Sequence, residues 1–448
     1  MSSPYPLPTF PRSPRQDWHK PLAGSEPPPE RIPRPGGWLR FDAGWLAPTQ
    51  AVKNLETAVS LLQTAGAAVE DIDALISESL LEVNSLWANG DRTRPPPAAA
   101  GHLLRERLRQ VDELARQCRF HGRGLLDGQS GVAGLGRGAE FIRGGPNTAA
   151  APPEGFEVRI QAQPTRAAIV GGVMVHEDWL AAETEIFLAE GENHIRYRPQ
   201  PGNAVPETLA RLQEHLHLAG LDLEVGLTRQ KRLIVRHNQY GSQFKFKGSS
   251  QKTPLLSKRP GKPEWSRRGR DVQGTLDGES AFGIGRMLVG YLDNTRTSEL
   301  AVLWRGGASE DGRTAWVHVA QNGIAFQEGQ ESGRPPVRLT LPALQTRNLG
   351  RWLECRSGFR SLADLRLEAW PQVQDALNML FAVSCELDDW RDRIREWIVR
   401  FQNQALTCLR RGISADGPPR MSNGQARQAE EMARTLRDLI RSGPGAVG

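Results

Sequence analysis

The stretch Pro48–Ala88, PTQAVKNLETAVSLLQTAGAAVEDIDALISESLLEVNSLWA, decides the fold. A heptad template started at Val52 calls for apolar residues at eleven positions. Nine comply, namely Val52, Leu55, Val59, Leu62, Val69, Ile76, Leu80, Val83 and Trp87, while Gly66 and Asp73 break the series. At 1.5 Å per residue the helix would run about 60 Å, too long for one globular core and suited to a rod. Asn89-Gly90 marks its end, with Gly90 as a left-handed cap and Pro95 to Pro97 barring continuation.

Working outward, a second helix is expected with Leu104, Leu108, Val111, Ala115 and Cys118 on one face, closing in Phe120-His121-Gly122-Arg123-Gly124-Leu125-Leu126-Asp127-Gly128. The two helices make an antiparallel hairpin. Near the other end of the chain Val373, Leu377, Leu380, Val383, Leu387, Trp390, Ile394, Trp397 and Phe401 recur at steps of three and four, the strongest periodicity in the protein. A helix with one narrow apolar seam must bury it against another element, and the hairpin is the economical partner. The expected fold class is therefore α+β: a long helical rod bundle built from the N- and C-terminal segments, with a β-rich domain inserted between them.

Between these helices the pattern turns to short alternating runs. Glu157–Gln161, Glu185–Leu188, His194–Tyr197, Arg232–Arg236, Met287–Leu292, Glu299–Trp304, Thr314–Ala320 and Val337–Leu341 read as strands, and Pro206–Ala219 as one packed helix. The longest apolar run, Ala167–Val175, is too short to span a bilayer, so no membrane partner is expected. The 46 glycines and 32 prolines place long linkers between folded parts. Residues 1–46 are the clearest case, a Pro- and Arg-rich arm expected to be disordered, with Trp38, Phe41 and Trp45 at its end as a docking anchor.

The net charge of +6 is local in origin. Residues Arg229 to Arg270 hold thirteen Lys or Arg against one acid, Glu264, so the window carries +12 and the rest of the chain −6. The expectation is a solvated basic loop, with Lys258, Arg259, Arg267 and Arg268 as the residues that would touch a polyanion.

Several groups carry the residue types of chemistry without its spacing. His215 and His217 sit two apart, which turns them to different sides of a helix, so a shared metal is not expected. Gly283-Ile284-Gly285 and Gly131 to Gly145 lack the frame of a phosphate loop and are read as tight turns. Asp388 and Asp389 read as a solvated helix face, and Trp390, Trp397 and Phe401 as core packing. Cys118, Cys355, Cys385 and Cys408 show no metal or disulfide spacing. No enzyme, cofactor or metal site is expected.

The hairpin, residues 51–128, resembles the N-terminal helical rod of bacterial flagellins, and the Phe-x-Gly-x-x-Leu-Leu-Asp-Gly run at Phe120–Gly128 is its specific part. Glu185–Phe244 and the Gly-rich Gly269–Gly285 are similar to β modules inserted in flagellins and hook-associated filament-cap proteins, so the likeness covers about half of the chain. It departs where family members begin with a long helix, since the Pro-rich arm stands there, and Glu78-Ser79-Leu80-Leu81-Glu82 lacks the arginine of the segment that innate immune receptors recognise.

What the resemblance implies is a structural protein of the flagellar filament or the hook–filament junction, acting by subunit packing. Its parts would be a hairpin at 47–128, inserted β modules at 150–345 with the basic loop 229–270, a rod helix at 361–410 and an amphipathic helix at 421–441. Leu55, Leu62, Ile76, Leu108, Val111, Leu125, Leu126, Leu387, Trp390, Ile394 and Trp397 would pack the rod. Partners would be other flagellin or hook-associated subunits, with a flagellar export chaperone, and location the flagellum or the exterior by a route without a signal peptide. Two other readings stand beside it. One is a non-polymerising relative, cytoplasmic, that binds partners or regulates assembly. The other, ranked last, is a nucleic-acid or polyanion binder working through the basic loop.

Overall fold

The computed structural model describes residues 48–178, 185–306, 312–326 and 336–415. The N-terminal arm at 1–46 and the helix expected at 421–441 lie outside them. The chain is a mixed α/β protein of long helices and several antiparallel sheets.

Four α-helices are described: α1 at Pro48–Asn89, α2 at Ala98–Gln117, α3 at Val205–Leu218 and α4 at Trp370–Ala415. The stripe of α1 is buried from Val52 to Val83, and it shares one hydrophobic core with Leu104, Leu108 and Val111 of α2 and with Val373, Leu380, Leu387 and Ile394 of α4. Pairings such as Glu82 with Arg107 and Asp73 with Arg391 set both neighbours antiparallel to α1. The two breaks in the heptad have reasons in this packing. A side chain at Gly66 would begin 3.4 Å from the Ile394 methyl, so glycine allows α4 to come close. Asp73 binds Arg391 at 2.7 Å, an ion pair inside the seam.

Gly90 departs from its expected role as a left-handed cap. Gly90 is not among the residues with positive φ; instead the Trp370 ring lies 2.1 Å from where its Cβ would be. Trp370 also meets Trp87 at 6.2 Å between ring centroids and donates from its indole N–H to the Arg94 carbonyl at 2.7 Å. The end of α1 and the start of α4 are thus clamped together. That start is nine residues later than the expected 361, because Leu362, Leu365 and Leu367 are buried in an irregular approach. The Gln372 side chain then caps the helix, accepting from the N–H groups of Glu368 and Ala369 at 2.8 and 3.1 Å.

After α2 the chain makes a two-residue hairpin, Arg119–Phe120 against Arg123–Gly124, with positive φ at both His121 (49°) and Gly122 (80°). Leu125 and Leu126 fold back fully buried into the helical core. The β structure then begins at Val132, ahead of the expected 150. An eight-stranded antiparallel sheet runs in the order 132–137, 314–321, 156–162, 273–276, 279–284, 287–290, 301–304 and 139–143. Its two end strands follow one another in sequence through Gly138 and meet, since a Cβ on Gly134 would fall 2.5 Å from the Phe141 ring. The sheet therefore curls back until its two end strands come side by side, without a ladder between them. Here the expectation of turns at Gly131–Gly145 is corrected. Gly134 and Gly136 are strand residues whose missing side chains admit a neighbouring strand.

The second module joins two smaller sheets. One has the order 166–174, 232–240, 223–227; the other 264–265, 247–250, 186–190, 193–197. Helix α3 closes its core with Leu212 and Leu216 against Ile186, Leu188, Leu233, Val235 and Phe246. The window 229–270 belongs to this module, so the expected solvated loop is corrected. It supplies strand 232–240, strand 247–250 and the buried Leu255 and Leu256, because apolar residues such as Leu233, Val235 and Phe246 stand among its basic ones and enter the module core. The short ladder 324–326 with 337–339 packs on the helical core rather than on either module. No described helix is long and apolar enough to cross a membrane.

Because Leu62 and Ile394 lie in one core, truncating either to alanine is expected to cost about 2–5 kcal/mol. The two losses should also fail to add. Urea unfolding followed by far-UV circular dichroism measures both. Losses well below that range would mean that the two positions are not buried in the helical core.

Candidate functional site

The eleven residues expected to pack the rod come together. Leu55, Leu62, Ile76, Leu108, Val111, Leu125, Leu126, Leu387 and Ile394 are buried in the helical core, Trp390 is 7% exposed there, and Trp397 is partly buried against it. Phe401 joins them, so the aromatic stripe of α4 faces inward. Residues this deep hold the chain together and leave an exposed outer face on each long helix. On α1 that face carries Asp71, Glu78 and Leu81, the last 69% exposed, and on α4 it carries Val399 at 55%.

Where the helices meet the β modules there is a cleft of about 70 Å³, lined by Tyr240, Phe244, Met287, Trp352, Cys355 and Phe381 among others. Ion pairs fasten its rim. Glu140 of the large sheet receives Arg305 at 2.8 Å and Arg351 at 2.5 Å, Arg286 reaches Glu354 at 2.9 Å, and Arg356 binds Asp222 of the smaller module at 3.1 Å. Burial alone would raise the Glu140 carboxyl, but the hydrogen bonds from Arg305 and Arg351 outweigh it and hold it below its ordinary value.

Glu386 of α4 shows the opposite balance. Burial pushes its carboxyl up to about 7, only partly offset by the charge of Arg143 and a hydrogen bond with Trp352, and its Oε2 finds no partner. Thiol chemistry is not set up here. Burial raises Cys118 to about 11 and also raises Cys355 and Cys385, so each of these sulfurs stays protonated. Among the described residues none of the four cysteines forms a disulfide.

The two histidines of α3 have separate surroundings. His215 packs near Tyr197, while the His217 ring meets the Gln213 amide at 2.9 Å and is pushed down to about 4, first by burial and then by Arg356. A feature the sequence did not disclose is His237. It is fully buried, accepts from the Gln239 N–H at Nδ1 and so donates from Nε2 to Glu190 at 2.5 Å. Glu190 also accepts from the Asp222 N–H at 2.8 Å, which makes the pair a tie between strands rather than a base facing a pocket. Among the described residues no group of three or more His, Cys, Asp or Glu could hold a metal ion.

Of the four expected polyanion contacts, Lys258, Arg259, Arg267 and Arg268 are all exposed and make no ion pair. The structure adds what the sequence missed around them. Lys245 and Lys247 place their ammonium groups 4.7 and 4.6 Å from the ring centre of Trp265, itself 55% exposed. The alternation Lys245-Phe246-Lys247 was the available signal.

No protein-family model matches this chain, and no curated protein matches it. Its structural neighbours are flagellar proteins at low identity and low TM-score. The D1-D2-D3 domains of the flagellar cap protein FliD from Escherichia coli align at a TM-score of 0.29 and 9% identity, over 51% of this chain and 64% of that one. FliC from Burkholderia pseudomallei aligns at 0.24 and 12%, over 79% and 99%. The flagellar hook-associated protein-3 from Legionella pneumophila aligns at 0.22 and 11%, over 88% and 98%.

The raised Glu386 gives a signed expectation. Its folded value lies above the unfolded 4.5, so its contribution to stability is complete below about pH 4.5 and lost as pH rises through 7. Glu386→Gln should match the parent near pH 4 and exceed it by up to about 3 kcal/mol near pH 8. Thermal melts of both across that range measure it, and parallel curves would contradict it. His217 contributes the other way, losing stability between pH 6.5 and about 4, and cancels in the comparison.

Proposed function

We propose that this protein is a flagellar structural subunit, of the filament or the hook–filament junction, that works by packing against its neighbours. The observation that carries the reading is the arrangement of the chain. Segments from both ends, α1, α2 and α4, share a single core, and the β modules are inserted between them. The flagellin-like Phe120–Gly128 run supports it, because it forms the hairpin that leaves α2 and returns Leu125 and Leu126 to that core.

In this reading α1, α2 and α4 act as the rod, held by Leu55, Leu62, Ile76, Leu387, Ile394 and Trp397, and the β modules project outward. Its outer faces meet other flagellin or hook-associated subunits in a heterologous contact, the kind that propagates along a filament. Export would follow the flagellar route with a dedicated chaperone.

Light scattering and negative-stain microscopy of the full-length protein, with and without flagellar filament seeds, test this. The expected result is growth from, or decoration of, seed ends. Leu81→Asp on the exposed face should leave stability within about 0.5 kcal/mol and abolish that addition. A monomer that ignores seeds under all conditions would overturn the assembly role.

A further inference from the structure

One surface has no part in subunit packing. In the sheet ordered 264–265, 247–250, 186–190, 193–197, the residues Gly248, Leu188 and Ile195 point into the module core. Their neighbours along each strand must face the other way. The pairing register puts Trp265, Lys247, Ala189 and His194 in one row on that outer face, and Ser249, Phe187 and Arg196 in the next. Lys245 lies two residues before Lys247 on the same side, and Arg267 two after Trp265.

The face is therefore cationic and aromatic at once, with Ser249 buried within it. Trp265 is exposed, Phe187 is half-buried, and Arg196 sits 5.7 Å above the Phe187 ring. Among the described residues Lys245, Lys247 and Arg267 have no carboxylate partner. The acid that shares the face, Glu185, is held by Arg196 at 3.0 Å. From strand spacings the two aromatic rings stand about 12 Å apart, too far to sandwich one ring and far enough to take two in succession.

We infer that this sheet face binds single-stranded nucleic acid without strong sequence preference. Stackable rings on an open sheet, flanked by unpaired cations, supply the two things such a strand offers everywhere: a π-face on every base and a charge on every phosphate. An acidic protein surface would use the cations and leave Trp265 idle. An acidic polysaccharide would use the ring but calls for several amide and carboxylate hydrogen-bond partners, and this face offers Gln251 and the engaged Glu185. The lysines beside Trp265 already lean over its ring, where an arriving phosphate would draw them off.

Fluorescence anisotropy of a fluorescein-labelled oligothymidylate of twenty nucleotides, titrated with the full-length protein between about 50 and 300 mM salt, tests the inference. The expected result is binding that weakens steeply with salt, with a log–log slope of about −3 for some four phosphates engaged. Trp265→Ala should weaken it roughly 10- to 100-fold with unchanged circular dichroism. Lys245→Ala with Lys247→Ala should flatten the slope by about 1.4. Lys258→Ala with Arg259→Ala, in the loop off the face, should change affinity less than 3-fold, about the scatter of one weak surface charge. Absence of binding at low salt would overturn it and leave the lysines as protection of a sheet edge. So would a Trp265→Ala variant of unchanged affinity, or inorganic polyphosphate and heparin competing as well as the oligonucleotide, since charge alone would then explain the binding.

Discussion

The structure depends on one constraint: α1, 42 residues long, carries an apolar stripe along nearly its whole length and cannot cover it alone. Isolated helices gain little stability from propensity, so the stripe has to be buried against other helices. Helix α2 is too short to do so, at 20 residues, and α4 at 46 matches α1 almost end to end. Closing that contact brings residues some 300 positions apart together, as in Asp73 with Arg391. Everything between must leave the helical core and return to it. Both crossings are built. The hairpin at His121-Gly122 sends the chain out, and the Trp87–Trp370 clamp receives it back.

The inserted part solves a different problem, that of β edges. The large sheet shields them by curling until its first two strands meet, where the Phe141 ring leaves no room for a side chain at Gly134 and the Ala139 carbonyl none at Gly136. The smaller module keeps an edge at Glu264–Trp265 and covers it with basic residues. Electrostatics then joins the pieces. Glu140, Arg305, Arg351, Arg286 and Glu354 cross between the large sheet and the approach to α4, while Arg356 reaches Asp222 in the smaller module. Such pairs contribute orientation more than raw stability, because each charge gives up water to form them.

How much of this was legible in the sequence follows from the range of each signal. Helical periodicity is local and dense, so α1, α2 and α4 could be read from residues such as Leu55, Leu108 and Ile394, with boundaries off where Leu362 to Leu367 stay buried outside any helix. Strands with alternating residues, such as Arg232–Arg236, were equally open to reading. The glycine strands were not, because Gly134 and Gly136 signal a turn by composition and reveal a close approach only once Phe141 and Ala139 are placed beside them. The basic window misled for a related reason. Its charge dominates the composition, while the five residues that anchor it, Leu233, Val235, Phe246, Leu255 and Leu256, are scattered through it. The row of Trp265, Lys247, Ala189 and His194 depends on pairing among four strands, which no linear pattern contains.

The central claim is that α1 and α4 form one cooperative unit from opposite ends of the chain. Native-state hydrogen exchange read by mass spectrometry tests it most directly, comparing the α1 segment around Val69–Ile76 with the α4 segment around Leu387–Ile394. The structure predicts that the two segments open together, with the same free energy and the same denaturant dependence, and more slowly than the strands of the smaller module. Separate opening, with α4 exchanging freely while α1 stays protected, would contradict it.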